Sequence, residues 1–419
     1  MNICILGAGI IGTTSAWHLL QAGHHVTLLD AMPQPAACAS RGNGAQLSYS
    51  YVAPLADPSV LKKWPSYLFG RDSPLTLKPR PDTAQWRWLI QFLGACNAAQ
   101  VQKTTIQLLH LAFYSRGELD TLRQHPALNF HHRKAGKLVM LSDHNTMQSA
   151  RRQVEFQAAH GCHQQVLDVE HCVEIEPALA QAASQWVGGV YTASEEVGDC
   201  ALFCRQLLQA MQKDDRFRFA RSTRVTGVTV KDGVLEHVSV GSEKLQADAY
   251  VLAMGVESAA FARNAGFRLP VYPLKGYSIT VPLHGAKADA APQVSITDLR
   301  RKIVFARVGE HLRVAGRVEL VGMDPAISRR ATTELTSAVR TLFPGVPNLA
   351  DEATLSPWAG FRPATPTGLP IIGPSPVKKL FLNVGHGSLG WTLSCGSAAL
   401  LADLIAGNTT IIDAGPFRL

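Results

Sequence analysis

The first thirty residues constrain this chain more than any other stretch. Asn2 to Gly7 (NICILG) is a short apolar run ending in glycine, which predicts a buried strand. Gly7-Ala8-Gly9-Ile10-Ile11-Gly12 follows at once. Apolar residues then recur at helical spacing from Ile10 to Ala22, and Gly23 is placed to end the helix. His25 to Asp30 (HVTLLD) reads as a second strand. A glycine-rich hexad alone says little. Between a strand and a helix, with an acid at the tip of the next strand, it predicts a Rossmann-type βαβ unit for a dinucleotide. Gly7 permits the turn, Gly9 lets the backbone approach a pyrophosphate, and Gly12 lets helix and strand pack closely. The helix start offers unpaired N–H groups and partial positive charge. Asp30 is placed to hold ribose hydroxyls, and Ala8, Ile10 and Ile11 complete the expected cofactor cradle.

Two later segments narrow the dinucleotide to FAD. Ala247 to Ala253 (ADAYVLA) reads as a strand feeding Met254-Gly255. Leu380 to Val384 reads as another, followed by a glycine-rich turn at Gly385 to Gly390 and a helix from Trp391 to Ile405. An NAD-dependent chain usually completes its fingerprint domain within about 150 residues. A chain that returns to that domain at its end suits a flavoprotein better. A helix starting near Trp391 would aim its N-terminus at the negative charge that reduced flavin carries around N1 and C2=O. Thr223 to Val240 alternates around Asp232-Gly233, a hairpin signal, and Tyr277 to Pro282 with Ile303 to Val321 suggests a second, antiparallel group. The expected fold class is α/β. A Rossmann-like FAD-binding domain of the glutathione-reductase type (1–85, 165–265 and 355–419) is interleaved with a substrate-binding domain of antiparallel sheet plus helices (86–164 and 266–354).

Composition excludes several classes. With 46% hydrophobic and 17% charged residues, the 419-residue chain is globular rather than disordered. No uninterrupted apolar run reaches the roughly 18 residues of a membrane-spanning helix, and the opening strand is not a signal peptide. The expected location is cytoplasmic, with a peripheral position on the inner face of the cell membrane left open. The net charge of +8 comes from scattered basic residues, which suits anionic ligands and disfavours nucleic acid. Eight cysteines occur without a C-x-x-C pair or zinc spacing, so no metal site and no disulfide-reductase chemistry is expected. No motif indicates a flavin-bearing cysteine, so FAD should be non-covalent. G-x-S-x-G and H-E-x-x-H are absent too.

Five segments carry a family resemblance: Ser40 to Tyr51 (SRGNGAQLSYSY), Gly198 to Phe203 (GDCALF), Tyr272 to Ser278 (YPLKGYS), Gly360 to Gly373 (GFRPATPTGLPIIG) and Leu382 to Gly396 (LNVGHGSLGWTLSCG). Through them the chain resembles the D-amino acid oxidase/glycine oxidase superfamily, and within it the bacterial D-amino acid dehydrogenase small-subunit family, over nearly its whole length. Arg41 and Gly42 depart from the small residues usual there. The resemblance implies that Arg362 holds a substrate carboxylate, for which a guanidinium fork is well shaped. It implies that Asn43, Gly44, Gln46 and Leu47 run along the flavin near N5. Val225 would meet the adenine end through its main chain. Gly385, Gly387, Ser388, Leu389, Gly390 and Trp391 would surround the pyrimidine side, with Gly255 also at the cofactor. His386 stands beside the flavin as a packing or hydrogen-bonding residue, a substrate contact or a base. Related oxidases place a tyrosine over the substrate, where Arg301 to Arg307 (RKIVFAR) has Phe305 and no tyrosine. Tyr51 and Tyr277 are either the substitutes or packing residues, and Lys275 lies either near the site or in solvent.

The activity implied is oxidative deamination of a D-amino acid to a 2-oxo acid and ammonia. Hydride passes from Cα to flavin N5, and the electrons go to a quinone or another respiratory, non-oxygen acceptor. Two alternatives stay open. One is a dehydrogenase or oxidase of secondary amines such as D-hydroxyproline, D-proline or sarcosine, or of glycine. The other is a non-catalytic FAD-binding subunit. Trp64, Tyr67, Phe69, Trp86 and Trp88, interleaved with Lys62, Lys63, Arg71 and Lys78, form either a peripheral membrane contact or a helical lid and core.

Overall fold

The structure, a computed structural model, describes residues 1–60, 75–287, 290–347, 349 and 354–419. Two sheets organise it. The first has six strands: β1 (Asn2–Leu6), β2 (His25–Leu29), β9 (Phe217–Ala220), β13 (Ala249–Leu252), β19 (Ile371–Pro374) and β20 (Leu380–Val384). Their order is β19-β20-β13-β1-β2-β9, parallel except for β19 at one edge. Both faces are covered, so the strand sequences are apolar almost throughout rather than alternating. Ile3 and Ile5 pack on one side against the helix α1 (Ile10–Gln21), through Ala16, Leu19 and Leu20. Cys4 and Leu6 pack on the other with Leu235, Val238 and Phe261.

The second sheet has nine strands. They are β4 (Leu75–Leu77), β5 (Lys137–Leu141), β6 (Gln165–Leu167), β7 (Gly188–Thr192), β14 (Tyr272–Pro282), β15 (Ser295–Asp298), β16 (Ile303–Val308), β17 (His311–Leu320) and β18 (Trp358–Ala364). The order is β18-β14-β17-β16-β15-β5-β7-β6, with β4 on β17. A β-bulge at Gly276/Tyr277 leaves Arg317 of β17 as the extra residue, at φ +57°.

Five helices position the site around these sheets: α2 (Thr83–Ala95), α3 (Ala98–Leu122), α4 (His144–Ala158), α5 (Arg329–Leu342) and α6 (Gly390–Ala406). The outer face of the large sheet buries Leu138, Tyr277, Ile279, Ile296, Phe305 and Val314 against Leu335, Val339 and Leu342 of α5. Its inner face is covered at one end by Trp88 and Phe92 of α2, and at the other by Met147 of α4. The strip between them meets residues 40–50, where a short strand β3 (Gln46–Leu47) pairs with β8 (Glu196–Val197).

Two expectations change. The segment Gly387–Ala406 is long and apolar enough to cross a membrane, which uninterrupted apolar runs did not reveal because Ser, Thr and Gly break them up. Its helix lies between α1 and α3 with nearly every side chain up to Ala402 buried, as a core helix does. The aromatic cluster also divides. Trp88 is buried, stacked on Phe92, and donates to Ala364 O, whereas Trp86 is 46% exposed. Trp64, Tyr67 and Phe69, with Lys62, Lys63 and Arg71, lie outside the described residues.

Candidate active site

The fingerprint turn is shaped by contacts that only glycine allows. Gly7 sits at φ +102°, and a Cβ there would lie 2.5 Å from Ala253 O. A Cβ on Gly12 would lie 1.7 Å from Gly7 O. Gly9 differs, since a Cβ there would meet only Ser40 Oγ at 3.6 Å, so the space before it is open. Gly9 also caps α1 without a side-chain hydrogen bond. Ser40 Oγ accepts from Ile10 N at 3.0 Å, while Ile11 packs inward. The carboxylate of Asp30 accepts from Ala8 N at 2.6 Å and from Met32 N at 2.8 Å. Asp30 therefore builds the turn, and its remaining lone pairs are available to ribose hydroxyls. Val225 lies partly buried two residues beyond Thr223, whose N–H donates to Asp30 O. Gly255 opens a short helical turn just past Ala253, the residue that packs on Gly7. An open, uncapped helix start with a carboxylate beside it fits the diphosphate and ribose of FAD.

The return of the chain supplies a second such helix end. Strand β20 runs into Gly385, and α6 starts after Leu389, again without a side-chain cap. Gly387, Leu389 and Gly390 are half-buried and Ser388 is exposed, so this turn is accessible. Trp391 brings only its main chain to that end. Its indole is buried against Phe130 and Phe203, and Nε1 donates to Gly198 O at 3.2 Å. His386 is corrected as a substrate contact. It is 3% exposed, its Nε2 lies 3.0 Å from Ser397 Oγ inside α6, and burial pulls its pKa down to about 3. It is a neutral packing residue that pins the turn to the helix.

Residues 43–48 join the two sheets. Asn43 Oδ1 accepts from Ala45 N, and Asn43 O accepts from Arg313 Nη1, both at 2.9 Å. Gly44 faces Val304 and Ala315, where a Cβ would come within 3.0 Å of Val304 Cγ2. Gln46 Nε2 donates to the carbonyls of Phe305 (3.3 Å) and Ile296 (3.4 Å). Leu47 is fully buried, and Ser48 N donates to Thr392 Oγ1 in the first turn of α6.

Strand register decides which side chains face this segment. Tyr277 pairs with Ala359, and both belong to the outer core. Arg362 stands three residues from Ala359 on β18, so the strand's alternation puts it on the inner face. Its guanidinium lies over Gly276, where a Cβ would sit 2.3 Å from Cζ. Arg362 Nη1 is buried without a hydrogen-bond partner among the described residues, and burial pulls the pKa down to about 10, which keeps the cation. Tyr277 is corrected. It points away from Arg362 into the outer core and donates to Glu319 Oε2 at 2.7 Å. Lys275 shares that face. It is 2% exposed, donates to Ala326 O, and is neither solvated nor near Arg362. Tyr51 is 36% exposed, and its ring lies 4.4 Å from Lys137 Nζ.

Lys137 is the residue that sequence reasoning missed. It is 3% exposed, and its Nζ donates to Gln46 Oε1 at 2.7 Å and to Ser48 Oγ at 2.9 Å. Burial pulls its pKa down to about 8, against an opposing pull from Glu195. The only trace in the sequence is a lysine opening an apolar strand, KLVML.

Comparisons with known proteins agree with this geometry. A family model described as FAD dependent oxidoreductase (DAO) matches residues 2–404. The chain is 46% identical to D-amino acid dehydrogenase 2 of Ralstonia nicotianae, over 100% of both chains. It is 42% identical to D-amino acid dehydrogenase 2 of Pseudomonas aeruginosa, over 98% of this chain and 96% of that one. Among solved structures, glycine oxidase from Geobacillus kaustophilus superposes with a TM-score of 0.77 at 20% identity, covering 100% of this chain and 97% of that one. L-proline dehydrogenase from P. horikoshii superposes at 0.76 and 15% identity, covering 100% and 96%. These two likenesses speak to the fold.

Proposed function

The chain belongs to the FAD dependent oxidoreductase family, and from that premise we propose that it deaminates D-amino acids oxidatively, yielding 2-oxo acids and ammonia. Electrons leave for a quinone or another acceptor that is not oxygen. The observation that carries this reading is Arg362, a half-buried cation on the sheet face that meets residues 43–48, whose Nη1 is buried and has no partner among the described residues. Such a donor is costly to bury unless an anion completes it. A substrate carboxylate does so bidentately. The names of the relatives, D-amino acid dehydrogenase, point to the same substrate class.

Bound FAD supplies the hydride acceptor, its N5. The chain's own residues do the rest. Gly9, the start of α1 and Asp30 would hold the diphosphate and ribose, and residues 385–391 would hold the pyrimidine end. Arg362 orients the substrate so that Cα–H, next to a neutral amine, points at the cofactor. Gln46 and Leu47 fix the opposite wall. Fixed geometry of this kind supplies much of the rate. The acceptor reading draws on α2, where Trp86 and Ile90 are 46% and 68% exposed, one turn apart, beside Arg87. An aromatic and aliphatic pair next to basic residues suits a membrane surface on the cytoplasmic side.

Anaerobic mixing with a panel of D-amino acids, D-proline, D-hydroxyproline, sarcosine and glycine tests the substrate class. Flavin bleaching by D-amino acids is expected, with faster reoxidation by a quinone than by air. Bleaching by the secondary amines alone, or by nothing in the panel, would overturn the reading.

A further inference from the structure

Trp358 stands apart from the apolar cores. It opens β18 half-buried, yet no apolar cluster among the described residues includes it. Its indole lies against bare backbone instead. A Cβ on Gly42 would sit 2.2 Å from Trp358 Cδ2, and one on Gly360 would sit 2.1 Å from Cη2. Neither glycine has a left-handed φ, so neither is there for a turn. Their missing side chains make room for the ring.

The two large side chains on the inner face of β18 lean towards each other. Ala359 packs in the outer core, so Trp358, Gly360 and Arg362 alternate onto the inner face. The benzene end of the indole reaches forward over Gly360, and the Arg362 guanidinium reaches back over Gly276, where a Cβ would sit 2.3 Å from Cζ. Gly360 and Gly276 are register partners, and Cβ positions on directly opposed residues lie about 5 Å apart. Indole and guanidinium therefore stand side by side on a floor of glycine. Gly42 closes the far side of the ring. A carboxylate accepting from Arg362 Nη1 places its Cα about 5 Å from that nitrogen, level with the edge of the indole. We propose that Trp358 is the apolar wall of the substrate pocket and determines side-chain specificity, so that the preferred substrates are D-amino acids with unbranched apolar side chains laid along the indole. This assignment rests on the D-amino acid reading above. Each methylene that exchanges water for the ring should raise kcat/KM about two- to fourfold, according to how fully it is covered.

The test measures kcat/KM for D-alanine, D-norvaline, D-norleucine, D-lysine and D-glutamate by steady-state dye reduction with the FAD-loaded enzyme. A rise of about tenfold or more from D-alanine to D-norleucine is expected for three added methylenes, with D-lysine and D-glutamate behind D-norleucine. Trp358→Ala should flatten that series while flavin absorbance is retained. Gly360→Ala keeps the indole but lifts it off the sheet into the pocket, and should penalise D-norleucine more than D-alanine. A flat or falling series in the native enzyme, or D-lysine or D-glutamate ahead of D-norleucine, overturns the assignment and spares the D-amino acid reading. An equal loss for every substrate in Trp358→Ala, with weakened flavin retention, makes the indole a prop for the segment at Gly42 and overturns it too. Failure of every D-amino acid refutes both readings.

Discussion

Gly276→Ala is a sharp probe of the site, because it moves the cation proposed to hold the substrate without removing it. The new Cβ would stand 2.2 Å from Arg362 Nη1 and 2.3 Å from Cζ. Carbon contacts settle near 3.5 Å or beyond, so the guanidinium must retreat by about 1.2 Å. Gly276 does not need a left-handed backbone, so the alanine itself adds little strain. A misplacement of about 1 Å in a positioning group costs about 100-fold in rate, or about 2.7 kcal/mol of transition-state stabilisation. The expected variant retains FAD, melts near the parent temperature, and loses about 100-fold in kcat/KM for D-amino acids, chiefly through KM. Arg362→Leu should lose about as much or more, and the double variant should lose no more than Arg362→Leu, since both changes act through one contact. Steady-state kinetics on the three variants, with flavin absorbance as the loading control, decide it. Undiminished kcat/KM in Gly276→Ala would show that Arg362 does not hold the substrate.

Four further outcomes are expected. Gly12→Ala places a Cβ 1.7 Å from a backbone oxygen that cannot yield, so expression should give insoluble or FAD-free protein, checked by absorbance of the purified fraction. Asp30→Ala removes the acceptor for Ala8 N and Met32 N, and FAD affinity in a fluorescence titration should weaken about 10- to 100-fold. Tyr277→Phe strips Glu319 of one hydrogen bond on the outer face; denaturant melts should show a loss of about 1–3 kcal/mol with kcat/KM unchanged. His386 has its pKa pulled from 6.5 to about 3 by burial. The unfolded chain therefore binds the extra proton between those values, and stability is lost as pH falls below 6.5, by up to about 1.4 kcal/mol per pH unit. A His386→Asn variant should flatten that slope, and an identical slope would refute the buried neutral imidazole.

The parts of the site legible in the sequence are those dictated by close approach within a few residues. Gly7, Gly9 and Gly12 announce themselves because local packing leaves room for nothing larger at two of them. The late strand–turn–helix at 380–405 is visible for a similar reason, as a glycine turn between apolar runs. Arg362 needed the family resemblance, since an arginine on a strand carries no local mark of what it faces. Tyr277 stood between a substrate contact and a packing role because a strand residue's face is set by register, and a one-residue shift inverts every side chain. Lys137 was invisible because its partners, Gln46 and Ser48, lie 91 and 89 residues away. Trp86 and Trp88 could not be separated until the helix showed which side of each turn meets Tyr272 and Ala364.

The hydrogen bond from Ser48 to Thr392 spans 344 residues, and it sets a timetable for synthesis. The segment proposed to cradle the diphosphate leaves the ribosome within the first few dozen residues, whereas the turn at 385–391 proposed to wall the other end of the flavin is made much later. A nascent or prematurely stopped chain can offer a grip on half the cofactor and never enclose it. Acquisition of yellow colour is thus a mark of chains that have been read through to their late helix, and a pulse-labelled population should gain bound flavin only after release. Unfinished copies are expected to stay colourless.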